Sequence, residues 1–163
     1  MSPGRHVAAV LLCPGVVALL VPALIVWSTD GRIEPLGLLG LPLIAVGLLL
    51  VVSTVRLFAT AGRGTLAPWD PTTRLVVRGP YRYVRNPMIS GVLFVLLGEA
   101  VLFGSVALLV WFGLVLAVNA VYMPLVEEPG LQRRFGGEYE RYRAHVPRWI
   151  PRLRPWNVEE SNG

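Results

Sequence analysis

From Met88 to Met123 the chain runs for 36 residues with one charged side chain, Glu99. A helix needs about 20 apolar residues to cross the hydrocarbon core of a bilayer. The run is too long for one crossing and just long enough for two short ones that turn back at Gly104-Ser105. A second run, residues 36–58, is charged only at Arg56, near its end. Pro42 and Gly47 inside it are expected to loosen or bend that helix, which a bilayer tolerates where neighbouring helices cover the freed backbone. A third run, about residues 7–27, follows Arg5 and contains Pro14 and Pro22. It is long for the core of a signal peptide and lacks a small-x-small cleavage site before Asp30, so it reads as a retained span.

With 54% hydrophobic residues in a chain of 163, the expected fold is a single all-α integral membrane domain. It has four transmembrane helices, at about 7–27, 36–58, 88–104 and 105–123. The third and fourth form a helical hairpin. A cytoplasmic loop spans 59–87, and a cytoplasmic amphipathic helix lies in the tail, 125–154.

Charge sets the orientation. All fifteen basic residues are arginine. Five lie between residues 59 and 87 against one acid, Asp70, and seven follow Met123. The connection holding Asp30, Arg32 and Glu34 and the tip at Gly104 carry no such excess. The positive-inside rule therefore places both termini and the central loop in the cytoplasm, in a membrane of the bacterial inner type. The pI near 10.1 fits anionic lipid headgroups rather than nucleic acid, because the arginines cluster beside apolar runs. His6 and His145 stand apart without carboxylate or cysteine partners, and Cys13 is the only cysteine. No metal site or disulfide is expected. Oligomeric state is not legible.

Three places carry chemistry. The stretch RGPYRYVRNPMISG, Arg78–Gly91, combines three arginines and two tyrosines with Pro80 and Pro87, which restrict the backbone on either side. Pro87 suits a first helical position and Asn86 its N-cap. The stretch reads either as an interfacial anchor or as one wall of a pocket. Glu127-Glu128 comes after the fourth span and reads either as the acidic start of an amphipathic helix, complementing its dipole, or as part of a site. Glu99, inside the third span, reads either as an intramembrane functional carboxylate or as lying near enough to the Gly104 tip to reach the interface. Beyond these, Leu131, Phe135, Tyr139, Tyr142 and Val146 recur on one helical face, with Glu138–Arg141 and Glu140–Arg143 spaced for ion pairs. Gly136-Gly137 weakens that helix and Pro147, Pro151 and Pro155 end it.

GPYRYVRNPMISG, trailed about 35 residues later by EEPGLQRRFGGEYERYRAHVPRWIPR, resembles the isoprenylcysteine carboxyl methyltransferase and phospholipid N-methyltransferase superfamily of integral-membrane enzymes. Arg85, Asn86, Pro87 and Gly91 fit its Arg-His-Pro-x-Tyr-x-Gly pattern, with Ile89 where a tyrosine is usual. Glu127 and Glu128 fit its paired acids. Phe135, Gly136, Tyr139, Tyr142, Pro147, Arg148 and Pro151 fit the family pattern downstream of those acids. The resemblance implies that S-adenosyl-L-methionine binds between the two motifs, against Tyr81, Arg85, Asn86, Pro87, Met88 and Gly91 on one side. Glu127, Glu128, Leu131, Tyr139 and Tyr142 face it from the other. Glu128, Arg148 and Asn119 are then the residues nearest the chemistry. The acceptor is a membrane lipid or lipophilic small molecule carrying a carboxylate, amine, thiol or hydroxyl. The alternative is a non-catalytic lipid-binding scaffold that retains the fold.

Overall fold

A computed structural model describes residues 15–29, 31–33, 35–61 and 75–157. Residues 7–14 of the first expected span, and Arg63, Asp70 and Arg74 of the central loop, lie outside them. The described residues are helical, with no strand. A single π-helical turn, Val16–Leu20, leads into α1, Val21–Ser28. A 3-10 turn, Pro35–Leu39, leads into α2, Gly40–Ala61. After a second 3-10 turn, Gly79–Arg82, come α3, Pro87–Leu102, and α4, Val106–Tyr122. A π-helical turn, Met123–Glu127, joins α4 to α5, Glu128–Phe135, and α6 is Gly137–His145.

The central helix is α3. Its Val92, Val95 and Leu96 are buried with Ala18 of the first π turn, and Val17, Val51, Trp111, Phe112 and Val115 close around them. The Trp111 indole Nε1 donates to the Val17 carbonyl at 3.0 Å, tying the first helical segment to α4.

Against α2 the contact is backbone on backbone. A Cβ built at Gly47 would lie 2.5 Å from the Gly91 carbonyl oxygen, and one at Gly91 would lie 2.7 Å from that of Gly47. Close approach of this kind is how helices pack where no hydrophobic force separates protein from lipid. Pro42 and Gly47, expected to loosen or bend α2, do not interrupt it. The helix is continuous from Gly40 to Ala61, and Gly47 is a packing point because α3 needs its missing side chain.

Two helical stretches, Pro35–Leu57 and Val106–Phe135, are long and apolar enough to cross a membrane, and only 17% and 11% of their most apolar windows are buried. A soluble core helix would be mostly covered. Here Leu39, Leu49, Val110 and Val118 face outward, the pattern of a protein whose outer solvent is apolar. The segments Val16–Ser28 and Pro87–Leu102 are apolar but shorter.

The tail departs from expectation. Residues 125–154 do not form one amphipathic helix. Val106–Phe135 is continuous, so Glu127 and Glu128 sit inside a helix and not at its start, and a dipole role at an N-terminus falls away. Pro124 and Pro129 lack the N–H an α-helix needs. The wider turn accommodates them by letting the Glu128 amide reach back to the Met123 carbonyl. The helix then breaks at Gly136, whose φ of 52° and ψ of −127° lie in a region essentially reserved for glycine.

Candidate functional site

The loop before α3 and the tail after α6 are laced together. The Arg85 amide donates to the Pro147 carbonyl at 2.9 Å, that of Arg152 to Tyr83 at 3.0 Å, and that of Trp156 to Arg82 at 3.0 Å. The Arg82 Nε returns a bond to the Trp156 carbonyl at 3.0 Å. Beneath this seam lies a second apolar core, Tyr139, Tyr142, Val146 and Trp156, with Leu75, Val77, Leu131 and Phe135 against it. Tyr142 donates its hydroxyl to the Tyr81 carbonyl at 2.7 Å. Its ring lies 5.9 Å from that of Trp156, which stacks on His145 at 5.3 Å. The apolar face expected on the tail thus buries itself against the loop.

Glu128 is where loop, helix and tail converge. The residue is 5% exposed. Oε1 accepts from Arg85 Nη1 at 2.9 Å and from Arg148 Nε at 2.6 Å, and Oε2 accepts from Arg148 Nη2 at 2.9 Å. Arg143 Nε stands 3.9 Å from Oε2. Arg85 Nη1 also donates to the Tyr139 hydroxyl at 3.2 Å. Burial alone would raise the Glu128 carboxyl, but the Arg148 hydrogen bond and the charges of Arg85, Arg148 and Arg143 hold it below the ordinary carboxylate range. Three arginines from three segments thus converge on one carboxylate.

Glu127, its neighbour, makes no ion pair among the described residues. Burial, and then the charge of Glu128, push its carboxyl upward. The phenol of Tyr81 is likewise raised by burial and by Glu127. That of Tyr142 is raised by burial and Tyr81, and that of Tyr139 by burial and Glu128. All three are neutral hydrogen-bonding groups near pH 7. Among the described residues, Arg85 Nε and Arg152 Nη1 are buried without a hydrogen-bond partner. The adjacent acids therefore differ in kind: Glu128 is saturated with donors and Glu127 is not.

The other expected residues divide between the seam and the helix packing. Pro87 is buried at the first turn of α3. Asn86 precedes it, but its side chain makes no capping bond, its ψ of 61° lying outside the extended geometry of a usual cap. Met88 is half-buried. Gly91 faces α2, and Leu131 packs in the tail core. Asn119 does not join the cluster. Its amide donates to the Val115 carbonyl of its own helix at 2.8 Å, nine residues and about 13 Å of helical rise before Glu128. The expected pairs Glu138–Arg141 and Glu140–Arg143 do not form. Glu140 accepts from Gln132 at 2.7 Å, and Arg143 faces Glu128. Spacing alone could not find Arg143, Arg82 or Trp156, whose partners are 15 to 74 positions away. The one available signal was a large aromatic, Trp156, directly after a proline-rich segment.

The sequence model of the phospholipid methyltransferase family matches residues 36–138. A protein-S-isoprenylcysteine O-methyltransferase of Schizosaccharomyces pombe is 39% identical over 77 residues, which cover 47% of this chain and 33% of that protein. The chain thus matches about a third of that relative's length. No solved structure matches the chain significantly. The family match takes in Arg85, Asn86, Glu127 and Glu128, leaving Tyr139, Tyr142 and Arg148 just beyond its end. Extending over more than half of the sequence, it places this chain in the phospholipid methyltransferase family.

Proposed function

We propose that the protein is a methyltransferase that carries a methyl group from S-adenosyl-L-methionine to a lipid or lipophilic small molecule held in the bilayer. In this reading it crosses the membrane four times, with the Val16–Ser28 segment and α3 as the short crossings and the loop–tail seam on the cytoplasmic side. The outward apolar side chains of α2 and α4 and the arginine asymmetry support that topology.

The observation that carries the reading is the inequality of Glu127 and Glu128. A cofactor bearing an aminocarboxylate needs a cationic donor on one side and an available carboxylate on the other. Among the described residues Arg85 Nε is buried and unpartnered and Glu127 makes no ion pair, so the donor set fits. Arg85 would hold the carboxylate group and Glu127 the ammonium, while Glu128 keeps Arg85 in place. When bound, the cofactor supplies a methyl group on a sulfonium, ready for in-line displacement.

The chain's own residues position the acceptor and exclude water, and such alignment provides much of the rate in reactions of this type. An ammonium, hydroxyl or thiol acceptor must also lose a proton to a base. A carboxylate acceptor needs no base.

The test is incubation of the purified protein in nanodiscs with radiolabelled cofactor and a total lipid extract. A labelled lipid is the expected result. Cofactor binding without any labelled acceptor sinks transfer to lipid, and absence of binding in a folded sample favours the non-catalytic scaffold.

A further inference from the structure

The tail carries apolar side chains where a cytoplasmic surface should be polar. Ile150 is 79% exposed and Leu153 is 99% exposed, although Arg148 before them and Trp156 after them are drawn inward. The segment is not loose. It is pinned at Pro147, Arg152 and Trp156 by backbone bonds to Arg85, Tyr83 and Arg82, so its two exposed apolar residues are displayed by a fixed frame. The residues that pin it immediately precede Pro87, where α3 begins, so the frame stands at the level where the helical bundle meets its polar end. Exposed Arg154 and half-buried Arg152 flank Leu153. Exposed Arg133 and Arg134 lie on α5.

We infer that the segment 148–155 is an interfacial wedge: Ile150 and Leu153 sit in the headgroup–acyl boundary of the same bilayer that holds the helices, with Arg152 and Arg154 on anionic lipid phosphates. Apolar side chains beside arginines are the combination that anionic membrane surfaces bind. Water is a poor environment for a fixed, fully exposed leucine. The wedge depends on the helices spanning a bilayer and is independent of methyl transfer. Its consequence is that the loop–tail seam over Glu128 rests on the lipid surface, so an acceptor reaches the site from within the leaflet.

The experiment uses the full chain in nanodiscs with an environment-sensitive fluorophore at Leu153→Cys or Ile150→Cys, each in a Cys13→Ala background, and at Glu140→Cys as the exposed reference on α6. The lipids are phosphatidylcholine alone or mixed with phosphatidylglycerol, with brominated acyl chains as quencher. Probes at 150 and 153 should be quenched and the probe at 140 should not, with stronger quenching in the anionic mixture. Replacing Arg152 and Arg154 together by glutamine should weaken the anionic preference on the order of 25-fold in the insertion equilibrium. Probes at 150 and 153 as wet as that at 140 would overturn the wedge, and so would quenching indifferent to lipid charge. Since all three labelled sites are on the surface, loss of folding is excluded by unchanged elution of the labelled protein.

Discussion

Arg85 Nη1 and Glu128 Oε1 lie 2.9 Å apart across 43 positions of sequence. This contact brings the segment that opens α3 onto the end of the long α4–α5 helix. Arg148 adds a two-bonded grip from the tail, so a single carboxylate organises three parts of the chain. In the reading proposed above, Glu128 positions Arg85 and Arg148.

Removing that carboxylate leaves two guanidinium groups, Arg85 and Arg148, without their counter-charge. Breaking a buried pair from one side costs about 3–5 kcal/mol, so Glu128→Ala should destabilise the protein by about that much. Arg143, whose side chain is 56% exposed, should matter by less than about 1 kcal/mol. Denaturant unfolding in detergent, read by tryptophan emission, measures both.

The same carboxylate makes stability acid-sensitive. Its folded-state pKa lies below the unfolded value, so its contribution is complete above the ordinary carboxylate range, near about pH 4.3. That contribution is lost as pH falls through the lower folded value. Glu127 has the opposite sign, since its raised carboxyl favours the folded state most under acid and weakens it as pH rises. Wild type should lose stability below about pH 4, and Glu128→Gln should flatten that limb of the curve. An acid limb unchanged in Glu128→Gln would assign it to other groups.

Helix packing makes a separate prediction. Gly91→Ala would push a methyl group to 2.7 Å from the Gly47 carbonyl oxygen, and overpacking of this kind costs about 1–3 kcal/mol. Gly113, on α4, has nothing within 4 Å of such a methyl. Gly113→Ala should be neutral or stabilise by up to about 1 kcal/mol through helix propensity. Unfolding midpoints of the two variants in one detergent decide the matter.

The proposed division between the acids separates binding from stability. Glu127→Gln should leave the unfolding midpoint at neutral pH no lower than that of wild type, since it removes a charge that burial and Glu128 disfavour, and should weaken S-adenosyl-L-methionine binding by about tenfold or more, the loss expected for one charge-assisted hydrogen bond. Calorimetric titration of the folded variant measures it. Unchanged affinity would remove Glu127 from the cofactor site.

The range of each interaction decides how much of this is legible in the sequence. The apolar runs, the hairpin turn at Gly104-Ser105, Pro87 at the start of α3 and the tail face of Tyr139, Tyr142 and Val146 all come from local composition and period. Short-range steric and solvation rules act on neighbours in sequence. The motifs around Arg85 and Glu127-Glu128 are also visible as residue types in order. What sequence leaves undecided is which acid does what. Glu127 and Glu128 are chemically identical and adjacent, and only the arrival of Arg85 and Arg148 from distant segments saturates one and leaves the other without an ion pair. The same holds for Gly47, which reads locally as a weak point in a helix and becomes a contact because Gly91 of another helix lies against it. Helix formation is settled by near neighbours in the chain. The partners of a buried charge or a missing side chain are settled by packing in three dimensions.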